Sequence, residues 1–110
     1  MKKTKMKRLR AAGWKIGSAH EFLGLSKQEA ALVDMKIALA RSIKRRRQSR
    51  KMTQATLAKQ LGTSQSRLAK IESADRSVSI DLLVRSLLAM GASRRDLGRV
   101  IGASAAKDAA

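Results

Sequence analysis

Apolar side chains recur along this chain at intervals of three and four, and nowhere alternate for more than a few residues. That periodicity predicts helices throughout and no strands. Leu32, Met35, Leu39 and Ile43 fall on one stripe, and Ser26 with Glu29 has capping-box spacing at its start, so a long helix is expected from there to about Arg50. Ser18 and Glu21 repeat the spacing ahead of Gly24, which suggests one short helical turn over 19–23. Leu57, Ala58 and Leu61 form the next apolar face. Thr53 is a suitable N-cap for it, Gly62 suits a left-handed position after it, and Thr63 or Ser64 can cap the helix that carries Leu68 and Ile71. Ser79 opens a run with Leu82, Leu83, Leu87 and Leu88 that stops at Gly91. Ser93 and Asp96 open a last short helix with Leu97, Val100 and Ile101. The chain has no proline, and Ala, Leu, Lys, Arg and Gln are all strong helix formers. The expectation is an all-α fold of five or six helices.

Composition sharpens this. A chain of 110 residues with 44% hydrophobic content can form one small domain with tails. The division expected is a basic tail over 1–11, an N-terminal extension over 12–35, a domain over 36–102 and a tail over 103–110. The net charge of +17 exceeds what solubility requires, so a polyanionic partner is the leading inference, nucleic acid before an anionic membrane. Residues 1–11 carry +6 and residues 36–61 carry +9 with no acid, whereas 12–35 sum to −1. Read alone, the run Lys44 to Lys51 fits a solvated helix face as well as a polyanion site.

Several chemistries have no support. There is no cysteine and only one histidine, His20, so neither a zinc cluster nor a Ser-His-Asp set can be assembled. Gly13 and Gly17 do not make a phosphate loop. No enzyme, metal site or cofactor is expected. No stretch approaches the roughly 20 apolar residues of a membrane span, and the basic N-terminus lacks the apolar run of a secretory signal. A soluble protein is the expectation, and the lack of cysteine is compatible with a reducing cytoplasm.

The segment Met52 to Glu72 then narrows the partner to DNA, because two short helical patterns meet at Gly62 across a turn that fits a helix-turn-helix. Its second helix leaves Gln65, Ser66, Arg67 and Lys70 outward. Glutamine suits a bidentate pair with adenine, arginine can meet guanine or phosphate, and serine can read either base or backbone. The pattern TQ-x-x-LA-x-x-LG-x-S-x-S-x-x-x-x-IE at Thr53 to Glu72 resembles the XRE-type (Cro/cI, lambda-repressor-like) five-helix DNA-binding domain over residues 36–101. The resemblance implies phosphate contact by Gln54 and base contacts by Gln65, Ser66 and Arg67. It also implies a structural ion pair between Arg47 and Glu72. Thr53, Lys59, Lys70, Arg45, Arg46, Arg50 and Lys51 are further phosphate candidates.

Residues 12–35 resemble the N-terminal extension of HigA-like antitoxins, whose partners are mRNA-cleaving toxins. Trp14 and Phe22 are the chain's only aromatics. With Leu23 and Leu25 they either fold back over the domain or, as Trp14, Phe22 and Leu25, anchor a partner protein. Leu97, Val100 and Ile101 either form a homodimer face or complete the core. The functional expectation is an operator-binding repressor, the antitoxin of a type II toxin–antitoxin pair that autoregulates its operon. A phage-like or other stand-alone regulator without a toxin is the alternative. An RNA- or ribosome-associated role is disfavoured because aromatic stacking platforms are missing.

Overall fold

Every helix start in the computed structural model, which describes residues 26–103, is built from a serine or threonine. The five helices are α1 (Lys27–Ser49), α2 (Gln54–Leu61), α3 (Gln65–Glu72), α4 (Ile80–Ala89) and α5 (Arg94–Gly102). Their N-caps are Ser26, Thr53, Ser64, Ser79 and Ser93, and each side-chain oxygen accepts from the backbone N–H three residues on. Each thereby satisfies one of the four donors that a helix start leaves without an internal partner. Ser26 with Glu29 and Ser93 with Asp96 complete reciprocal capping boxes. Of the two capping candidates before α3, Ser64 performs the role.

A chain without proline needs another way to stop its helices, and four of the five use the same one. Lys51, Gly62, Ala74 and Gly91 all have positive φ (55°, 73°, 55° and 93°). The next residue's N–H returns to a carbonyl five positions earlier: Met52 to Arg47, Thr63 to Ala58, Asp75 to Lys70 and Ala92 to Leu87. These bonds satisfy carbonyls that would otherwise be orphaned at the helix end. Glycine adopts this conformation without penalty; Lys51 and Ala74 do not.

α1 packs against α3, α4 and α5, while α2 packs on α3 and α4 on α5. The core is centred on Leu39, Ile43, Leu57, Leu68, Ile71, Val78, Leu83 and Leu87, all essentially removed from water. At roughly 1.5–3 kcal/mol for each such side chain, this is the main term favouring the fold. α1 is continuous from Lys27, so the division expected between residues 35 and 36 falls inside one helix. With 23 residues it is about 34 Å long, more than twice the length of α4 or α5. Among the described residues its apolar stripe therefore outruns its cover. Leu39 and Ile43 are buried, Met35 is half-buried and Leu32 is 46% exposed.

One apolar assignment changes. Leu88, expected with the core run of α4, is 45% exposed; it lies one position past Leu87, about 100° round the helix. Of the three residues expected either at a dimer face or in the core, Leu97 is buried, Val100 packs against the core and Ile101 is 37% exposed. The short helical turn over 19–23 and the residues Trp14, Phe22, Leu23 and Leu25 lie outside the described residues.

Candidate nucleic-acid interface

The turn between α2 and α3 is set by three residues in succession. Gly62 takes φ 73° and ψ 33°, Thr63 is half-buried, and Ser64 caps α3 by accepting from the Arg67 N–H at 3.0 Å. α3 buries Leu68 and Ile71 against the core and α2. Gln65, Ser66, Arg67 and Lys70 are all exposed, the first three in the opening turn. The outward set expected from the sequence is therefore displayed together on one short helix.

That helix is fixed at its far end by Glu72, a buried carboxylate. Arg47 Nε donates to Glu72 Oε2 at 2.6 Å and Arg47 Nη2 donates to Oε1 at 3.1 Å. Arg47 Nη1 donates to the Met52 carbonyl at 2.8 Å, and Gln54 Nε2 donates to Glu72 Oε1 at 3.1 Å. The Arg47 side chain is 12% exposed and that of Glu72 only 3%. A bidentate, charge-assisted pair with further hydrogen bonds is the arrangement that makes a buried ion pair tolerable. The bond to Glu72 raises the guanidinium's pKa further above its already high value. One node thus joins the end of α1, the loop before α2, the first residue of α2 and the last residue of α3. The Arg47–Glu72 pair has the form the resemblance implies; the participation of Gln54 is new. One amide N–H of Gln54 is engaged inward and the other remains for a ligand.

The Thr53 hydroxyl is also committed inside. It accepts from the Thr56 N–H at 3.1 Å and donates to Thr56 Oγ1 at 2.9 Å. Thr56 is exposed, with its hydroxyl beside that of Thr53. At the start of α2 Thr56 is therefore a second exposed hydroxyl, which sequence reading passed over because only the cap position carries a local signal. Lys59 is exposed on the same helix.

The basic run Lys44 to Lys51 divides in two. Arg46 Nη2 donates to Asp96 Oδ2 at 3.3 Å, joining α1 to the start of α5. Arg50 Nη2 donates to the Met90 carbonyl at 2.5 Å and closes the end of α4. Arg47 holds Glu72. Each of these three arginines makes a bond within the fold, with Arg46 and Arg47 half-buried and Arg50 exposed. Lys44, Arg45 and Lys51 are exposed. Successive residues on a helix turn through about 100°, so a run of cations cannot share one face.

A further cation appears past α3. Asp75 Oδ2 accepts from the Ser77 N–H at 3.0 Å and from the Ser77 hydroxyl at 2.6 Å, forming a local turn with exposed Arg76 at its tip. The two bonds from Ser77 hold the Asp75 carboxyl below its ordinary pKa, with smaller help from Lys70 and Lys36. Asp-x-Ser is a turn signature that could have been found in the sequence. Among the described residues no group of three acidic or histidine side chains could hold a metal. No helix among them is long and apolar enough to cross a membrane.

Comparison with curated proteins and with solved structures returns no match. A family model described as helix-turn-helix matches residues 43–97, from Ile43 in α1 to Leu97 in α5. The matched span is half of the chain and encloses the Arg47–Glu72 node, both paired helices and the loop bearing Arg76. The chain therefore belongs to the helix-turn-helix family, the XRE-like DNA-binding transcription regulators.

Proposed function

We propose that this protein is a sequence-specific, operator-binding repressor that acts as a homodimer, and that it is the antitoxin of a type II toxin–antitoxin pair, autoregulating its own operon. The observation that carries the reading is the exposed opening turn of α3, where Gln65, Ser66 and Arg67 stand together on a helix pinned through Glu72. A helix so held can enter the major groove, where a glutamine amide or an arginine fork distinguishes base pairs.

Gln65, Ser66 and Arg67 are assigned to base edges. Gln54, Lys51, Lys59, Lys70 and Arg76 are assigned to phosphates, together with Thr53 and its neighbour Thr56. Two such heads on a two-fold axis read half-sites about 34 Å apart. With 6 to 10 phosphate contacts per dimer, affinity falls by about 10³ to 10⁵ between 50 and 200 mM salt.

The antitoxin part rests on sequence alone: Trp14, Phe22 and Leu25 precede the domain in a segment resembling the extension of HigA-like antitoxins. In this reading they contact an mRNA-cleaving toxin. The site of action is the nucleoid in a prokaryotic cytoplasm. A gel-shift on the chain's own promoter, repeated with the neighbouring gene's product, tests both levels. A specific shift supports operator binding, and a supershift or changed affinity supports the antitoxin. A specific shift indifferent to the neighbour's product leaves a stand-alone regulator, and no specific shift overturns the reading.

A further inference from the structure

The first half of α1 carries a second apolar strip, on the side away from the core. α1 gives Leu39, Ala40 and Ile43 to the core. Ala30 lies nine positions before Leu39, about 180° round the helix, and Ile37 lies about 160° from Leu39 on that same side. With Val33 these two follow the helical spacing of three and four, over a length of roughly 10 Å. Ala30 is only 3% exposed and stands outside the core cluster; Ala38, at the edge of the strip, is fully buried and also outside it. Val33 and Ile37 are half-buried. The side-chain bonds from Arg46, Arg47 and Arg50 to Asp96, Glu72 and Met90 leave the far end of α1, on its core side.

The start of α1 indicates which piece of chain reaches the strip. Ser26 and Glu29 form a capping box, so Leu25 precedes the cap and Ala30 is the fourth residue of the helix. Apolar residues at those two positions pack together as a hydrophobic staple and set the direction from which the chain enters. A chain stapled at Ala30 begins at one end of the strip. Phe22 lies three residues before Leu25; three residues span about 10 Å when extended and about 4.5 Å when helical. Either conformation brings Phe22 level with Val33 or Ile37. Phe22-Leu23-Gly24-Leu25 is an uncharged run, which suits a strip of alanine, valine and isoleucine.

We propose that residues 19–25 dock on this second face of α1, with Leu25 over Ala30 and Phe22 against Val33 and Ile37. The inference goes beyond the operator and partner assignments and depends on neither. Trp14, eight residues before Phe22, stays outside the contact and remains for a partner protein. A partner that also takes Phe22 and Leu25 has to lift them from α1.

The chain has no cysteine, so a disulfide between two introduced cysteines reports their proximity without competition. In the full chain, Phe22→Cys is combined in turn with Val33→Cys, with Ile37→Cys and, as a control, with Leu32→Cys. Leu32 is next to Val33 in sequence but lies on the core side of the helix and is 46% exposed, so chain length alone gives both the same rate. In a glutathione buffer, closure within one chain is expected to be faster than the control by about tenfold or more at Val33 or Ile37. A smaller ratio at both positions overturns the proposal, and it is the result expected if the strip serves only a partner protein, since none is present. Disulfides formed between chains overturn it in favour of a second copy. Melting temperatures of Phe22→Ala, of Val33→Ala with Ile37→Ala, and of all three changes together give a reading without cysteines. Side chains in contact lose less together than separately, so the combined drop is expected to fall short of the sum by about 2 °C or more. A smaller shortfall overturns the proposal.

Discussion

Arg47 meets Glu72 through two nitrogens, at 2.6 and 3.1 Å, and in doing so ties the last turn of α1 to the last residue of α3 across 25 positions of sequence. Removing either partner leaves the other charge nearly dry. Glu72→Ala is expected to lower stability by about 3 kcal/mol, and Arg47→Ala by a similar amount. Glu72→Gln keeps the shape and part of the hydrogen bonding to Gln54, and should be milder. Denaturant unfolding at neutral pH measures all three; an Ala variant that unfolds like the parent would show that the node carries no stability.

Lys51 and Ala74 each hold a left-handed backbone without being glycine. Such a residue costs roughly 1 kcal/mol relative to glycine. Lys51→Gly is therefore expected to stabilise the protein by about that amount, since the Lys51 side chain is exposed. Ala74 is half-buried and packs on the core, so Ala74→Gly gives up methyl packing as it relieves strain, and its net effect should be smaller. If Lys51 also meets phosphate, the more stable Lys51→Gly protein should bind every DNA sequence more weakly. Thermal melts and a titration against unrelated duplexes read the two signs separately.

These two positions also mark the limit of what could be read from residues in order. The caps at Ser26, Thr53, Ser79 and Ser93, and the turn at Gly62, were legible because each is a local bargain between one side chain and its own backbone. The buried Leu39, Ile43, Leu57, Leu68 and Ile71 were legible for the same reason, through spacing. Lys51 and Ala74 carry no such signal: their conformation is imposed by the Met52–Arg47 and Asp75–Lys70 backbone bonds and the packing behind them. The inward bonds of Arg46 and Arg50, and the exposure of Leu88, depend on how each helix is rotated against its neighbours. Rotation is a tertiary property, and an error of one residue moves a side chain by about 100°.

Acid sensitivity should centre on Asp96. Its carboxylate accepts from the Ser93 backbone N–H, which lowers its pKa most, and from Arg99, with further lowering by the neighbouring Ser93 side chain. Arg46 adds a bond from α1. The folded pKa lies well below the ordinary 3.8, so the unfolded chain takes up the proton first as pH falls. The stabilisation is complete above the unfolded value and is lost progressively below it, down through the folded pKa. Asp75, lowered by Ser77, acts with the same sign. Melting temperature should be flat above about pH 5 and drop below about pH 4. Asp96→Asn should melt lower at neutral pH and lose part of that acid slope; an unchanged slope would remove Asp96 from the account.

The division of labour on the binding face makes the most direct prediction about function. Gln65→Ala removes a side chain that can bond a base edge, so it should cost about 1–3 kcal/mol on the preferred sequence and little elsewhere. Lys59→Ala and Arg76→Ala remove cations from the backbone-facing set, so each should weaken all sequences alike. Each should also reduce the slope of log K against log salt by about 0.9 for every phosphate in the complex that the variant no longer neutralises. Arg50→Ala makes the contrast. Its guanidinium closes the Met90 carbonyl, so the change should lower melting temperature while leaving the salt slope as it was. Fluorescence anisotropy on a selected duplex and a scrambled one, at several salt concentrations, yields both preference and slope for each variant. Equal losses on both duplexes for Gln65→Ala and Lys59→Ala would mean that α3 binds the groove without reading it. A reduced slope in Arg50→Ala would return that arginine to the phosphate set.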